Sequence, residues 1–301
     1  MLKENDLLAF VVSGNPALPG SVVIPPGDDM AMIRIAGAEL LVAVDPLIEG
    51  VHFTRSAARP EQIGRKALTR NLSDVAAMAA VPVAAVAAAQ LPGDLPSADA
   101  ERLVRGLQET AEAFDCPVVG GDVAIQQSAG AALSLTVTVL AEPAGVEPVR
   151  RRTAKVGDGV WVSGVLGGSL EADGTGHHLD FTPRIALARA LASDPATRPT
   201  SMMDVSDGLA MDLPRLVEHA EVSVEAVPMR AGITDVRRAL GDGEDYELLF
   251  TAGPEAPIPP ELQGVRLTRI GSVASAGGVA FVDAAGAAID VSDLGWEHRG
   301  A

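Results

Sequence analysis

Residues 60–91 read PEQIGRKALTRNLSDVAAMAAVPVAAVAAAQL and contain both kinds of element from which the fold is built. Pro60 suits the first turn of a helix, strong helix formers follow as far as Ala80, and Pro82 prevents the helix from continuing. Val83 to Leu91 is a short apolar run of the length typical of a buried strand. This stretch therefore predicts a helix followed directly by a strand.

Both sides of this stretch carry apolar runs separated by turn residues. In the first half we predict a short helix at 6–12, strands at 31–35, 40–45, 117–119 and 133–140, and a second helix at 97–114. The two strands at 31–45 are joined by a short polar turn and form a hairpin. In the second half we predict strands at 160–165, 246–251, 266–273 and 279–282 and helices at 185–191 and 209–220.

The segment 142–158 separates these halves. It contains two prolines and the basic cluster Arg150-Arg151-Arg152, which is typical of a connection. We place the domain boundary between residues 144 and 145, giving domains 1–144 and 145–301. Strands and helices alternate without a regular repeat, so a mixed α+β fold with a two-layer α/β sandwich in each half is favoured over one doubly wound sheet.

Charge and cysteine content exclude several classes of protein. The 301 residues include 40 acidic and 23 basic side chains, a net charge of −17, whereas proteins that bind nucleic acid or anionic membranes carry excess Lys and Arg. Cys116 is the only cysteine, which rules out an intrachain disulfide and indicates the cytoplasm. The apolar run at 75–89 is interrupted by Pro82 and is shorter than the roughly 20 residues of a membrane helix.

Aspartates stand beside glycines or at the ends of predicted elements in several places. They occur in Gly27-Asp28-Asp29, at Asp45 and Asp74, in Gly120-Gly121-Asp122 and in Asp204-Val205-Ser206-Asp207-Gly208. Short carboxylates on rigid elements suit Mg²⁺ that is held partly by substrate phosphates. Asp and Gly are also common in turns and caps for backbone reasons alone. Each segment thus has two interpretations, and their joint occurrence favours a metal site.

Common signatures of nucleotide-binding and hydrolytic sites are missing from the sequence. It contains no Gly-x-x-x-x-Gly-Lys-Ser/Thr, no Gly-x-Gly-x-x-Gly, no Gly-x-Ser-x-Gly and no His-Glu-x-x-His. His52 follows the Asp45 strand and would lie near the carboxylates if that strand end faces a site; otherwise it is a core or surface histidine. Arg150 to Arg152 either contribute a phosphate clamp or form a solvated connection.

In chain order, these segments resemble the thiamine-monophosphate kinase family, within the superfamily that includes aminoimidazole ribonucleotide synthetase. The first-half motifs are Gly27-Asp28-Asp29, Asp45 with Glu49-Gly50-Val51-His52-Phe53, Asn71 to Met78, and Gly120-Gly121-Asp122. The second-half motifs are Ala154 to Asp158, Gly164 to Gly167, Pro183-Arg184, Asp204 to Leu209, and Gly243 to Phe250. Each motif is weak alone, but together they extend over most of the chain.

The resemblance implies a two-domain, aminoimidazole ribonucleotide synthetase-like subunit of a homodimer that uses ATP and several Mg²⁺ ions to phosphorylate thiamine monophosphate. The implied metal ligands are Asp29, Asp45, Asp74, Asp122, Asp204 and Asp207. The implied ATP contacts are Gly121, Asp122, Arg151 and Ser206, and the implied thiamine monophosphate contacts are His52, Glu244 and Trp296. No side chain is expected to act as nucleophile or base, since phosphoryl transfer asks mainly for positioning and charge stabilisation.

Two departures from the family pattern lie in the predicted site. Ala43 and Val44 precede Asp45 where the family has two hydroxyl residues, and Val123 and Ala124 follow Asp122 where it usually has two threonines. Side-chain oxygens are therefore lost beside the predicted metals. Two further interpretations stay open: a related ATP-dependent enzyme with a different small acceptor, and a nucleotide- or metal-binding paralogue without turnover.

Overall fold

The computed structural model describes Leu7, Phe10 and residues 17–128 and 130–297. The helix predicted at 6–12 lies outside the described residues, apart from Leu7 and Phe10. Within the described part of the chain, no helix combines the length and the apolar character needed to cross a membrane.

From residue 17 onward, the described part of the first half forms a six-stranded sheet and two helices. The strands are β1 (Val22–Ile24), β2 (Ala31–Ile35), β3 (Ala38–Ile48), β4 (Val81–Pro92), β5 (Val118–Gln126) and β6 (Ser134–Glu142), and the helices are α1 (Pro60–Ala77) and α2 (Ser97–Ala113). Their order across the sheet is β1-β2-β3-β6-β4-β5. Strands β2 and β3 pair antiparallel, which confirms the predicted hairpin, and β4 pairs parallel with β5.

An eight-stranded sheet and three helices form the second half of the described chain. The strands are β7 (Gly159–Ser163), β8 (Ser201–Asp204), β9 (Ala220–Ser223), β10 (Leu248–Ala252), β11 (Glu261–Leu262), β12 (Val265–Val273), β13 (Val279–Val282) and β14 (Ala288–Ile289). The helices are α3 (Ile185–Ser193), α4 (Leu209–Leu216) and α5 (Val236–Gly241). The strand order is β14-β13-β9-β12-β7-β10-β8, with β11 paired to β12. Sheets with helices packed on them in both halves confirm the mixed α+β class.

Six short elements, β1, β8, β9, β11, β14 and α5, have no counterpart among the predictions, and two predicted elements differ clearly in length. The helix predicted at 209–220 ends at Leu216, because Val217 is extended and the chain enters β9 at Ala220. The strand predicted at 117–119 continues as β5 to Gln126, although glycine usually weakens strands. Gly121 lies so close to β4 that a Cβ atom on it would stand 1.8 Å from the Ala87 carbonyl oxygen. The glycine therefore permits this strand pairing.

Helix α1 crosses α2 with unusually close backbones. A Cβ atom on Gly64 would stand 2.0 Å from the Leu103 carbonyl oxygen, and one on Gly106 would stand 2.1 Å from that of Glu61. At its start, the Gln62 side chain accepts a hydrogen bond from the Arg59 backbone N–H at 3.1 Å. The two glycines thus fix how α1 lies on the first half.

Helix α1 also contacts the second half of the chain. Its buried Leu68 and Leu72 belong to the same apolar cluster as Leu187 and Leu191 of α3 and Phe250 of β10. A second apolar cluster lies wholly within the second half. The predicted boundary between residues 144 and 145 falls in the connection from β6 to β7 and stays a prediction, while the core is continuous across it.

Candidate active site

A cavity of about 320 Å³ lies where α1 meets loops and strand ends from both halves. Its lining includes Asp28, Asp29, Ala43, Val44, Asp45, Val51, His52, Arg70, Asp74, Arg151, Leu170, Asp204, Ser206, Asp207, Asp242, Glu244, Tyr246 and Trp296. All of the predicted site residues except Gly121 and Asp122 are in this set. The sequence motifs are therefore distant in the chain but share one cavity.

Three aspartates converge at the floor of the cavity. Asp29 precedes β2, Asp74 lies on α1 and Asp204 ends β8, and one carboxylate oxygen of each lies within 4.8 Å of the other two. Burial and the charge of Asp29 raise the pKa of Asp204 to about 7. Burial and the charge of Asp45 likewise raise the pKa of Asp74 well above its ordinary value. A cluster of this kind needs a bound cation or protons to offset its repulsion.

Neighbouring side chains hold two of these aspartates in place. Arg151 binds both oxygens of Asp29 through Nε, at 2.9 Å, and Nη2, and its backbone N–H donates to Asp28 Oδ1 at 2.6 Å. Ser73 Oγ donates to Asp204 Oδ2 at 2.6 Å. The cluster is therefore fixed by contacts that join the first half to the second.

Asp45 and Asp207 line the same cavity but stand beside arginines. Asp45 Oδ2 lies 3.9 Å from Arg70 Nε, and Asp207 Oδ2 accepts a hydrogen bond from Arg215 Nη1. The turn that carries Asp207 is fixed by Asp212, whose Oδ2 accepts the backbone N–H groups of residues 206, 207 and 208 at 3.0, 3.0 and 3.1 Å. This contact also places Ser206 at the cavity wall.

A buried lysine connects the predicted substrate contacts. Lys66 Nζ donates to the His52 carbonyl oxygen at 2.7 Å, to Glu244 Oε1 and Oε2 at 2.8 and 2.9 Å, and lies 2.6 Å from His178 Nδ1. Burial would raise the pKa of Glu244, but its bonds to His178 and Lys66 outweigh burial and lower it to about 2. Burial lowers the pKa of Lys66 to about 8. Glu244 is thus an anion at neutral pH.

The mouth of the cavity is apolar. Val51, Leu170 and Trp296 all line it and are exposed by 41, 49 and 51%. The backbone N–H of Trp296 donates to the Asp207 carbonyl oxygen at 2.9 Å, which ties the C-terminal segment to the cavity. An indole face of this kind can pack against a cationic heterocycle.

Gly121 and Asp122 lie outside this cavity. They are on β5, an edge strand whose side chains are mostly exposed. Gly121 has a structural reason for being glycine, its close approach to β4, and neither Gly121 nor Asp122 lines the cavity. Their roles toward ATP and metal stay predictions.

Sequence reasoning did not single out Arg70, Lys66, His178 or Tyr246 as site residues. A signal for the first two was present, because Lys66, Arg70 and Asp74 are spaced four residues apart along one helix and so share a face. Tyr246 lies within the quoted motif from Gly243 to Phe250, whereas His178 had no such signal, since its position depends on the packing of the loop that carries it.

The comparisons with known proteins agree with this architecture. Residues 27–142 match the family described as AIR synthase related protein, N-terminal domain. The solved structure of the hydrogenase maturation protein HypE from E. coli has a TM-score of 0.69 over 95% of this chain and 96% of that one, at 18% identity, which shows the fold alone. The family match thus assigns residues 27–142 to the AIR-synthase-related N-terminal domains, and the likeness to HypE shows a shared fold over most of the chain.

Relatives that are more similar in sequence than HypE identify a narrower family. Thiamine-monophosphate kinase from Rhodopirellula baltica is 32% identical over 293 residues, which cover 90% of this chain and 89% of the relative. The corresponding kinase from Aquifex aeolicus is 32% identical and covers 90% and 92%. The structure of AaThiL complexed with AMPPCP and TMP has a TM-score of 0.81 at 30% identity, over 99% and 97% of the chains. This chain belongs to the thiamine-monophosphate kinase family.

Proposed function

We propose that this protein transfers the γ-phosphoryl group of ATP to thiamine monophosphate, yielding thiamine diphosphate and ADP. The observation that carries the proposal is the convergence of Asp29, Asp74 and Asp204 in a cavity bordered by the other family motifs. The relative AaThiL forms a complex with AMPPCP and TMP, which supports the same pair of substrates here.

The donor set fits Mg²⁺. Carboxylate oxygens are the ligands that this hard cation prefers, and a bound cation would offset the repulsion among the three aspartates, which lie within 4.8 Å of one another. We assign Asp29, Asp74 and Asp204 to the metal, with Asp45 and Asp207 bordering the same space. Bound Mg²⁺ would stabilise the negative charge on the transferring phosphoryl group.

The remaining groups bind and orient the substrates. We assign Arg151 and Ser206 to ATP, and His52, Glu244 and Trp296 to thiamine monophosphate, whose cationic ring suits the Glu244 carboxylate and the indole face of Trp296. The acceptor is already a phosphate anion, so neither a nucleophile nor a strong base is required of the protein. In this proposal residues 1–144 form the ATP- and metal-binding and dimerisation domain, and residues 145–301 complete the nucleotide and substrate site and add Asp204 to the metal ligands.

A homodimer in the cytoplasm is part of the same proposal. Val119, Val123 and Ile125 on β5 are exposed by 65, 62 and 71% at a sheet edge that pairs with no further strand among the described residues, and exposed apolar edges are normally covered by another chain or element. The net charge of −17 and the single cysteine support a cytoplasmic location without nucleic-acid or membrane partners.

The test is incubation of the purified protein with ATP, Mg²⁺ and thiamine monophosphate, with both products identified by mass. Thiamine diphosphate and ADP should form in equal amounts. The Asp74→Asn variant should lose at least about three orders of magnitude in kcat/KM while keeping the circular dichroism spectrum of the wild type, because it removes one carboxylate of the cluster. Absence of thiamine diphosphate from the wild-type reaction, with retained binding of Mg²⁺ and ATP, would contradict the proposal.

A further inference from the structure

The charges that line the cavity are strongly unbalanced. Eight carboxylates line it, against the two arginines Arg70 and Arg151. The carboxylates are those of Asp28, Asp29, Asp45, Asp74, Asp204, Asp207, Asp242 and Glu244. Any ligand that carries phosphate needs positive charge in this space, from metal ions or from these two side chains.

Arg151 is already engaged by the protein. Its Nε and Nη2 both bind Asp29, in the paired geometry that satisfies one edge of a guanidinium. This pairing orders the carboxylate cluster, and it leaves Arg70 as the lining arginine that is not paired in this way.

Arg70 lies at the cavity wall and has an N–H donor that binds no other described residue. Its Nη1 donates to the Pro46 carbonyl oxygen at 2.8 Å, which ties it to β3. Its Nε has no hydrogen-bond partner among the described residues and lies 3.9 Å from Asp45 Oδ2. The side chain is 13% exposed and lines the cavity. Arg70 is therefore a mostly buried cation at the cavity wall, with a buried Nε–H that has no partner among the described residues.

The two residues before Asp45 in the sequence offer no side-chain ligand to a metal ion. Ala43 and Val44 bring no side-chain oxygen, and Asp45 does not belong to the cluster of Asp29, Asp74 and Asp204 within the described residues. The positive charge beside Asp45 in this chain is the guanidinium of Arg70. Arginine is suited to this position because it stays charged and offers five N–H donors in a planar fork.

We propose that Arg70 is a phosphate-binding residue of this site, and that its guanidinium supplies beside Asp45 the positive charge that a metal ion would otherwise supply. The inference rests on the proposed function only in taking the phosphates to be those of ATP and thiamine monophosphate. It predicts that the side chain contributes to substrate affinity and that it limits metal binding at Asp45.

The first experiment measures substrate affinity. Arg70→Met should raise KM for at least one of the two substrates about tenfold or more, which is the effect of losing one charge-assisted hydrogen bond. It should also weaken the binding of inorganic pyrophosphate in saturating Mg²⁺, followed by calorimetry, by a similar factor. Arg70→Lys retains the charge, so its KM values and its pyrophosphate affinity should lie between those of Arg70→Met and those of the wild type.

Arg102→Met is the matched control. Arg102 is a surface arginine on α2 that pairs with Glu61 and Asp99, so its removal changes the net charge equally without reaching the cavity. It should leave both KM values and pyrophosphate affinity within twofold of the wild type. Equal values for Arg70→Met and Arg102→Met, with both variants folded by circular dichroism, would overturn the phosphate-binding role.

The second experiment counts metal ions. Mn²⁺ binding in the presence of ATP, measured by electron paramagnetic resonance, should show one more ion per subunit in Arg70→Met than in the wild type. An equal number of bound Mn²⁺ ions in Arg70→Met and in the wild type would overturn the inference that Arg70 takes the place of a metal ion beside Asp45. A wild type that binds pyrophosphate through Arg70 but forms no thiamine diphosphate would refute the proposed function while supporting this inference.

Discussion

Lys66 is a buried ammonium that binds two of the residues proposed to contact thiamine monophosphate, His52 and Glu244. Its side chain has no exposed area, yet it reaches the His52 carbonyl oxygen, the Glu244 carboxylate and His178. Since Glu244 faces the cavity while bonded to Lys66, the lysine positions this carboxylate rather than contacting substrate itself. The stability of the buried pair and the affinity for thiamine monophosphate are thereby linked.

Lys66→Met should raise KM for thiamine monophosphate at least about tenfold, with a change of less than about threefold in KM for ATP. It should also lower the free energy of unfolding by about 3 kcal/mol, because it leaves the Glu244 carboxylate buried without its cation. Urea unfolding and steady-state kinetics measure the two effects. Adding Glu244→Gln to the variant should restore part of the lost stability, and a purely additive double variant would argue against this pairing.

Asp204 makes stability depend on pH when no metal is bound. Its pKa is about 7 in the folded protein, whereas an aspartate in the unfolded chain titrates near 3.8. The stabilising contribution is therefore full below about pH 3.8 and is lost as the pH rises through 7. In EDTA, the stability of Asp204→Asn relative to the wild type should increase by more than about 1 kcal/mol between pH 4 and pH 8.

Urea unfolding at the two pH values measures this difference. The exposed Asp94→Asn provides the control, because Asp94 lies outside the cavity lining. A pH dependence that is identical in Asp204→Asn and the wild type would show that Asp204 is ionised in the folded protein throughout this range.

The sequence identified the aspartates of the site more readily than the groups that hold them. Asp29, Asp74 and Asp204 stand in motifs that occur in the same chain order as in the family, so their convergence could be expected. The bonds that Lys66 makes depend on which loops of the second half lie across α1, and local sequence does not encode this. For Asp122 the motif in the sequence is clear, but the residue lies on the exposed strand β5 and does not line the cavity.

Among the elements, the crossing of α1 and α2 depends on two glycines. The helices approach so closely that neither position has room for a Cβ atom. Both helices were predictable from their composition. Their close contact was not, because an isolated glycine within a helical pattern can reflect helix packing, a functional role or a nearby helix end.

Gly106→Ala should destabilise the protein by at least about 2 kcal/mol, although alanine favours an isolated helix by about 1 kcal/mol. The added methyl group would overlap the Glu61 carbonyl oxygen and force α1 and α2 apart. Urea unfolding measures the change, with Gln108→Ala on the exposed face of α2 as the control. A more stable Gly106→Ala variant would mean that the helices can separate without cost.

For the whole molecule, the exposed edge of β5 is the feature that bears on assembly. Val119, Val123 and Ile125 present exposed apolar side chains on β5, the last strand of the sheet in the part of the chain that the structure describes. We expect the wild type to sediment as a dimer and Ile125→Lys to shift it toward the monomer by at least tenfold in dissociation constant, because a buried lysine would lack a partner. Analytical ultracentrifugation measures this constant.

Val104→Lys, on the exposed face of α2, is the control for that experiment. It introduces the same charge away from β5 and should leave the dissociation constant unchanged. A wild type that sediments as a monomer at all concentrations would remove the homodimer from the proposed function without affecting the cavity.

The apolar core that runs from α1 into α3 and β10 makes the two halves of the chain depend on each other for their folding. Each half contributes carboxylates to the cluster, and each also supplies part of the packing that keeps the other half in place. Neither half could be transplanted into another protein as a working module, and a gene split between β6 and β7 would have to keep both products together. Substitutions in α1 and in the strands that face it are therefore expected to evolve in concert.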